Sequence, residues 1–150
     1  MRSWFSASVA AIVLVAGPVC AAALQSLSVV SEKGTFPYKV ELANDDATRE
    51  KGLMFRKEMP KDHGMLFVFG KDQVAYMWMK NTFIPLDMVF VRADGEVASI
   101  AKNAQPHSLS LISSGVRVRA VLELNAGEAD AMGLKPGDRV KHKVFKAAGG

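Results

Sequence analysis

The sequence has one cysteine, Cys20, three histidines and two tryptophans among its 150 residues, and these shortages close off several kinds of chemistry. A single thiol makes no internal disulfide, so the fold depends on packing. His63, His107 and His142 stand far apart and none belongs to a closely spaced ligand pair, so no metal site is expected from them. No serine occupies a Gly-x-Ser-x-Gly elbow, and there are no internal repeats. Long apolar runs are missing too, except at the N-terminus.

That exception reads as an export signal: Arg2 is followed by an apolar run from Val9 to Val15, then Gly17-Pro18 and the small residues Ala21-Ala22-Ala23. Cleavage after Ala23 fits, giving a signal peptide over residues 1–23 and an exported protein, periplasmic or secreted. The alternative is a membrane anchor formed by an uncleaved segment, because no charge appears from Ser3 to Ser31. Lipidation at Cys20 is disfavoured by Pro18 and Val19, which sit where such a site wants small residues.

Cleavage leaves 127 of the 150 residues, enough for one domain with its own core, and removes the only cysteine. It also removes Arg2, so 18 basic residues face 15 acidic ones and the net charge falls from +4 to +3. The basic residues are dispersed apart from Arg139, Lys141, His142, Lys143 and Lys146, whose alternation suits the wet face of a strand. No nucleic-acid partner is expected. No membrane span is expected after cleavage, and partner proteins are not identified by any motif.

Period-two patterning dominates what remains. Tyr38, Val40 and Leu42 alternate with Lys39 and Glu41; Met65–Phe69 is an apolar strand candidate; Val116–Leu124 interleaves Arg117, Arg119 and Glu123 with apolar residues. Short helical turns are expected at Ala47–Lys51, capped by Asp46, and at Gly127–Met132, closed by Gly133. Leu86–Ala93 and Glu96–Lys102 flank Asp94-Gly95, which predicts a two-residue type I′ hairpin turn. That register sets Val91 against Ala98, Val89 against Ile100 and Asp87 against Lys102. Pro136-Gly137-Asp138 starts a last strand through Val140, Val144 and Phe145. The expected fold is mainly β: a compact single-domain sandwich or partly closed barrel with one or two short helices. Residues 24–37 form an N-terminal extension or edge strand, 38–146 the domain, and 147–150 a flexible tail.

The polar residues inside apolar stretches are the candidates for function, because burying a charge is costly unless it is paired. Trp78 offers a flat apolar face, Lys80 a charged donor, Asn81 an amide and Asp87 an acceptor pair, a set suited to a sugar or small anion. The structural alternative is a locked turn at Asn81 and Thr82, with Lys80 neutralising Asp87. Asp87 and Glu123 could serve as the two carboxylates of a hydrolase. The seven methionines after Met1 raise Cu(I) binding, with Met77 and Met79 on one strand face, against their common use as core fillers. No cofactor is expected.

The chain resembles the DUF192 family, also called UPF0127, whose biochemical role is not established. The resemblance rests on Arg49, Gly52-Leu53-Met54 and Arg56; on Gly64-Met65-Leu66-Phe67; on Trp78-Met79-Lys80-Asn81-Thr82 with Pro85-Leu86-Asp87; and on Leu122-Glu123-Leu124 with Gly127 and Gly137-Asp138. It spans about residues 38 to 145. It implies a compact, mainly β domain of sandwich type, often exported or lipid-anchored, with no recognised cofactor and no assigned catalytic residue. With it, Arg56, Trp78, Lys80, Asn81, Asp87 and Glu123 become the candidate ligand-binding cluster. An extracytoplasmic small-ligand-binding or accessory module is the leading reading; a protein-interaction module, a carboxylate hydrolase and a Cu(I) site are the alternatives.

Overall fold

The alternating segments pair into one curled sheet in the computed structural model, which describes residues 23–145. The expected signal sequence, with Cys20, lies outside the described residues up to Ala22, as do Lys146 and the expected tail. The elements are β1 (Gln25–Ser31), β2 (Gly34–Ala43), α1 (Asp46–Lys51), β3 (His63–Met77), β4 (Leu86–Val91), β5 (Val97–Ala104), β6 (Ile112–Asn125), α2 (Glu128–Ala131) and β7 (Arg139–Lys141). The sheet order is β5-β4-β6-β3-β2-β1-β7. All neighbours run antiparallel except β2 and β3. A parallel pair needs a crossover, and here residues 44–62 supply it, carrying α1 over the outside of the sheet.

Curling brings the two ends of the sheet together. Glu96 bridges to Arg139, the Val97 amide donates to the Asp138 carbonyl at 2.8 Å, and the Val140 amide donates to the Gly95 carbonyl at 2.8 Å. The result is a partly closed barrel. Gly95 is required at this seam: its φ is +89°, and a Cβ there would lie 2.5 Å from the Val140 carbonyl oxygen.

Because side chains alternate across a strand, β4 and β6 pack on both faces. Val40, Leu66, Val89, Val91, Leu122, Leu124 and Val140 fill the inside of the curl. Leu53, Met65, Phe67, Met79, Leu86, Met88, Phe90 and Val121 form a second core outside it, covered by the crossover and by the segment between β3 and β4. Methionines are prominent there. Met65, Met79 and Met88 are buried, and Met59 and Met77 pack against them, so these thioethers fill core gaps. Among the described residues no helix is long and apolar enough to cross a membrane.

Several local expectations need correction. The hairpin is closed by three residues: the Gly95 amide donates to the Arg92 carbonyl at 3.0 Å, Arg92 donates to the Glu96 carbonyl at 2.9 Å, and the Asp94 carboxylate accepts from the Glu96 amide at 3.0 Å. The Asp94 side chain thus completes a turn that the glycine ends in the left-handed region. Val89 does face Ile100, but Val91 faces Val97, and a second irregularity between Leu86 and Met88 takes Asp87 away from Lys102. Asp45, not Asp46, caps α1, accepting from the Thr48 amide at 2.8 Å. β7 stops at Lys141, after which Val144 and Phe145 turn back onto the inner core. β1, within the segment expected as an extension or edge strand, has β2 on one side and β7 against Ser28–Val30 on the other.

Candidate functional site

The crossover does not lie flat on the outer face. Between α1, the Gly52-Leu53-Met54 turn, the second half of β3 and the start of the return to β4 there is a cavity of about 410 Å³. Phe67, Phe69, Tyr76, Met77 and Trp78 come from β3 and the residue after it; Arg49, Leu53 and Met54 come from the crossover; Thr82 closes one side. Bulges in β3 between Val68 and Gln73 and between Val74 and Tyr76 interrupt its pairing with β6 along this wall. Gly52, at φ +48°, brings the crossover backbone against Phe67, whose ring atom would be 3.0 Å from an added Cβ.

Glu123 also lines this cavity, from near the C-terminal end of β6. Its pairing partners are Met65 on β3 and Met88 on β4, and alternation sends its side chain to the outer face. It is 4% exposed, and no described residue donates a hydrogen bond to or forms an ion pair with its carboxyl. Burial alone pushes its pKa from the ordinary 4.5 up to about 8. At neutral pH this group is mainly a protonated acid. It can both donate and accept a hydrogen bond.

Asp87 has a different setting. It shares its face of β4 with Val89 and Val91, opposite to the face that Met88 shares with Glu123, so the two carboxylates project from opposite sides of the sheet. They do not face a common cleft, which removes the paired-carboxylate hydrolase. Asp87 is 1% exposed and fully engaged: one oxygen accepts from the Asn103 amide at 2.8 Å, the other from the Gly127 and Ala129 amides at 3.0 and 2.9 Å. It ties the end of β5 and the start of α2 to β4. Lys102, its expected partner, pairs with Asp130 instead.

The other four candidates divide. Trp78 is 43% exposed and lines the cavity. Lys80 is exposed, with its ammonium 5.0 Å from the centre of the Trp78 ring, a cation-π contact outside the cavity. Asn81 takes φ +53°, accepts from the Phe55 amide through its carbonyl at 2.9 Å, and reaches the Met54 sulfur at 4.0 Å with its side chain, so it holds the turn behind one wall. Arg56 makes a two-pronged ion pair with Glu41, fastening the crossover to β2. Of the six, then, Trp78 and Glu123 meet at the cavity.

Arg49, Phe67, Phe69, Tyr76 and Thr82 complete the site without having been singled out as ligand contacts. Arg49 and Thr82 stand inside the family motifs, which was the available signal. Arg49 donates to the Val68 carbonyl at 2.9 Å and to Asp46 at 2.6 Å, and the Thr82 hydroxyl donates to the Lys80 carbonyl at 3.2 Å. Among the described residues no group of three or more His, Cys, Asp or Glu side chains is arranged to hold a metal ion.

Two of the solved structures that this chain matches resemble it over most of its length. A protein from Sinorhizobium meliloti 1021, described as a proposed transcription regulator, is 45% identical, with a TM-score of 0.81 over 86% of this chain and 100% of its own. A protein of unknown function from Novosphingobium aromaticivorans DSM 12444 is 39% identical, with a TM-score of 0.80 over 84% of this chain and 90% of its own. No curated protein matches. The DUF192 model, described as "Uncharacterized ACR", matches residues 28–142, from within β1 to just past β7. The chain belongs to the DUF192 family, which has no established biochemical function.

Proposed function

We propose that the protein is a small-ligand-binding module acting outside the cytoplasm, with the cavity beside α1 as its site. The observation that carries this reading is a carboxyl group without a protein partner lining an aromatic-walled cavity of about 410 Å³. A carboxyl with so little exposure, opening only onto the cavity, is placed to pair with something that enters it. The export reading of residues 1–23 supplies the compartment. The regulatory description of the relative is not carried over, because α1 and α2 span six and four residues, too short for a helix that reads a groove.

A thermal-shift screen of the purified protein with sugars, amines and carboxylates tests the proposal. A true ligand at 100 times its dissociation constant stabilises by about 2.7 kcal/mol and raises the melting temperature measurably. Glu123→Gln should remove that response for the same ligand. No shift with any class, or an unchanged shift in the variant, would count against this cavity.

A second reading has its own observation. Phe55 and Phe83 meet edge to face at 6.0 Å, Phe83 stacks on His107 at 5.2 Å, and Phe55, Leu109 and Leu111 are 61%, 67% and 66% exposed. Such an apolar surface suits contact with another protein. Phe55→Ser with Leu111→Ser would weaken that contact while leaving ligand-induced stabilisation intact.

A further inference from the structure

We infer that the cavity takes a small organic ammonium ion, its charged nitrogen against the Glu123 carboxylate and its apolar part against Phe69, Tyr76 and Trp78. This rests on the reading of the cavity as a binding site and adds the chemical class of what it binds.

Besides Glu123 the cavity is lined by Asp46, Arg49, Glu50 and Lys51, two acids and two bases, and the Lys80 ammonium stands 5.0 Å from the centre of the Trp78 ring on its outer side. Arg49 is already held by Asp46 and by the Val68 carbonyl. No described lysine or arginine pairs with Glu123, so a cation that would stabilise its ionised form is one a ligand can bring. The walls suit the same ligand. Aromatic faces attract cations through their quadrupole, most strongly where water is excluded. Four aromatic side chains, Phe67, Phe69, Tyr76 and Trp78, line the space.

Rival classes fit less well. A carboxylate or phosphate depends on Glu123 keeping its proton and is repelled once that group ionises, whereas an ammonium pairs with the ionised form. A sugar would find the Gln73 amide and the Tyr76 hydroxyl as partners, but it brings no charge to pair with an ionised Glu123. One acid among aromatic rings matches one ammonium on an apolar body.

Binding such a cation requires Glu123 to ionise, so its proton leaves as the ligand enters. Affinity therefore rises with pH up to the pKa of the free carboxyl, about 8. The residues flanking Glu123 on the neighbouring strands, Met65 and Met88, do not titrate. The titratable groups that face the cavity are Asp46, Arg49, Glu50, Lys51 and Tyr76, and none of the three histidines lines it.

The test is isothermal titration calorimetry of the purified protein with three compounds that share a phenylalkyl body and differ in the polar group it carries, phenethylammonium, phenylpropanol and phenylpropanoate, together with methyl glucoside. Phenethylammonium keeps its charge across the pH range used, as a lysine does. It should bind more tightly than the other three, with Kd falling about tenfold between pH 6 and pH 7. Glu123→Gln should weaken it at least tenfold, while the melting temperature of the variant at pH 7 stays at or above that of the parent, showing an intact fold. Equal binding of phenethylammonium and phenylpropanol, or undiminished binding to Glu123→Gln, would overturn the inference. Binding of the glucoside or the carboxylate alone would overturn it and leave the binding-module reading standing. Failure of all four to bind would overturn both.

Discussion

A carboxyl that gives up water and receives no hydrogen bond holds its proton to higher pH, and Glu123 meets both conditions. The sign of its effect on stability follows. Its folded value, about 8, lies above the ordinary 4.5, so between these limits the unfolded chain has lost a proton that the folded protein retains. Its favourable contribution is complete below pH 4.5 and is lost as the pH rises toward 8. Over that window this group lowers stability by about 1 kcal/mol per pH unit. Glu123→Gln should flatten the slope and stabilise the protein at pH 7, which denaturant melts at several pH values will measure. Asp87 predicts the reverse. Removing its carboxylate by Asp87→Ala leaves the buried Ala129 amide unpaired and takes the acceptor from the part-buried Asn103 and Gly127 amides, and should destabilise by roughly 2 to 4 kcal/mol. Both residues sit in apolar strands and look alike in sequence. Telling them apart required the pairing of Met88 with Glu123, because alternation gives the phase within one strand and not between two.

Elements were legible where their period was strong. The alternation in residues 38–42 and 116–124 marks β2 and β6, and the aspartate expected as a cap marks α1 to within one residue. The hairpin between β4 and β5 was legible as a hairpin but not in its register, since Asp94-Gly95 serves both a two-residue turn and the three-residue turn that the Asp94 side chain completes. The cavity was not legible at all. Its wall is the crossover 44–62, demanded by a parallel pairing of β2 with β3 that no local pattern signals. Because α1 itself has no buried residue, its cap and the Arg49 bonds hold that wall in place. Asp45→Ala should therefore cost about 1 kcal/mol of stability and weaken ligand binding more than that loss explains, read by calorimetry beside a melt. Trp78→Ala belongs here as well. With the ring 43% exposed, the change should destabilise by well under the roughly 3 to 5 kcal/mol expected of a buried tryptophan.

At the scale of the whole molecule the question is what keeps a curled sheet closed without a disulfide. The alternation and turn signals indicated a sandwich or a barrel; the choice lay in a few backbone contacts between residues 95–97 and 137–140, distant in sequence and too few to leave a pattern. This seam is thin. β7 has three residues, whereas β3 and β6 pair along most of their fifteen and fourteen. Local opening should therefore begin at the seam, since opening free energies follow the number of contacts broken. The Val97 and Val140 amides, which bond across it, should exchange with deuterium faster than the Leu66 and Leu122 amides, even though the Val97 and Val140 side chains are buried in the inner core. Gly95→Ala sharpens the contrast. It forces a side chain into the left-handed region and sets a Cβ 2.5 Å from the Val140 oxygen, so it should lower stability by about 1 to 2 kcal/mol or more and accelerate exchange at Val97 and Val140 first. Uniform acceleration across β3 and β6 would instead mean that seam and sheet open as one unit, with closure as cooperative as the core it encloses.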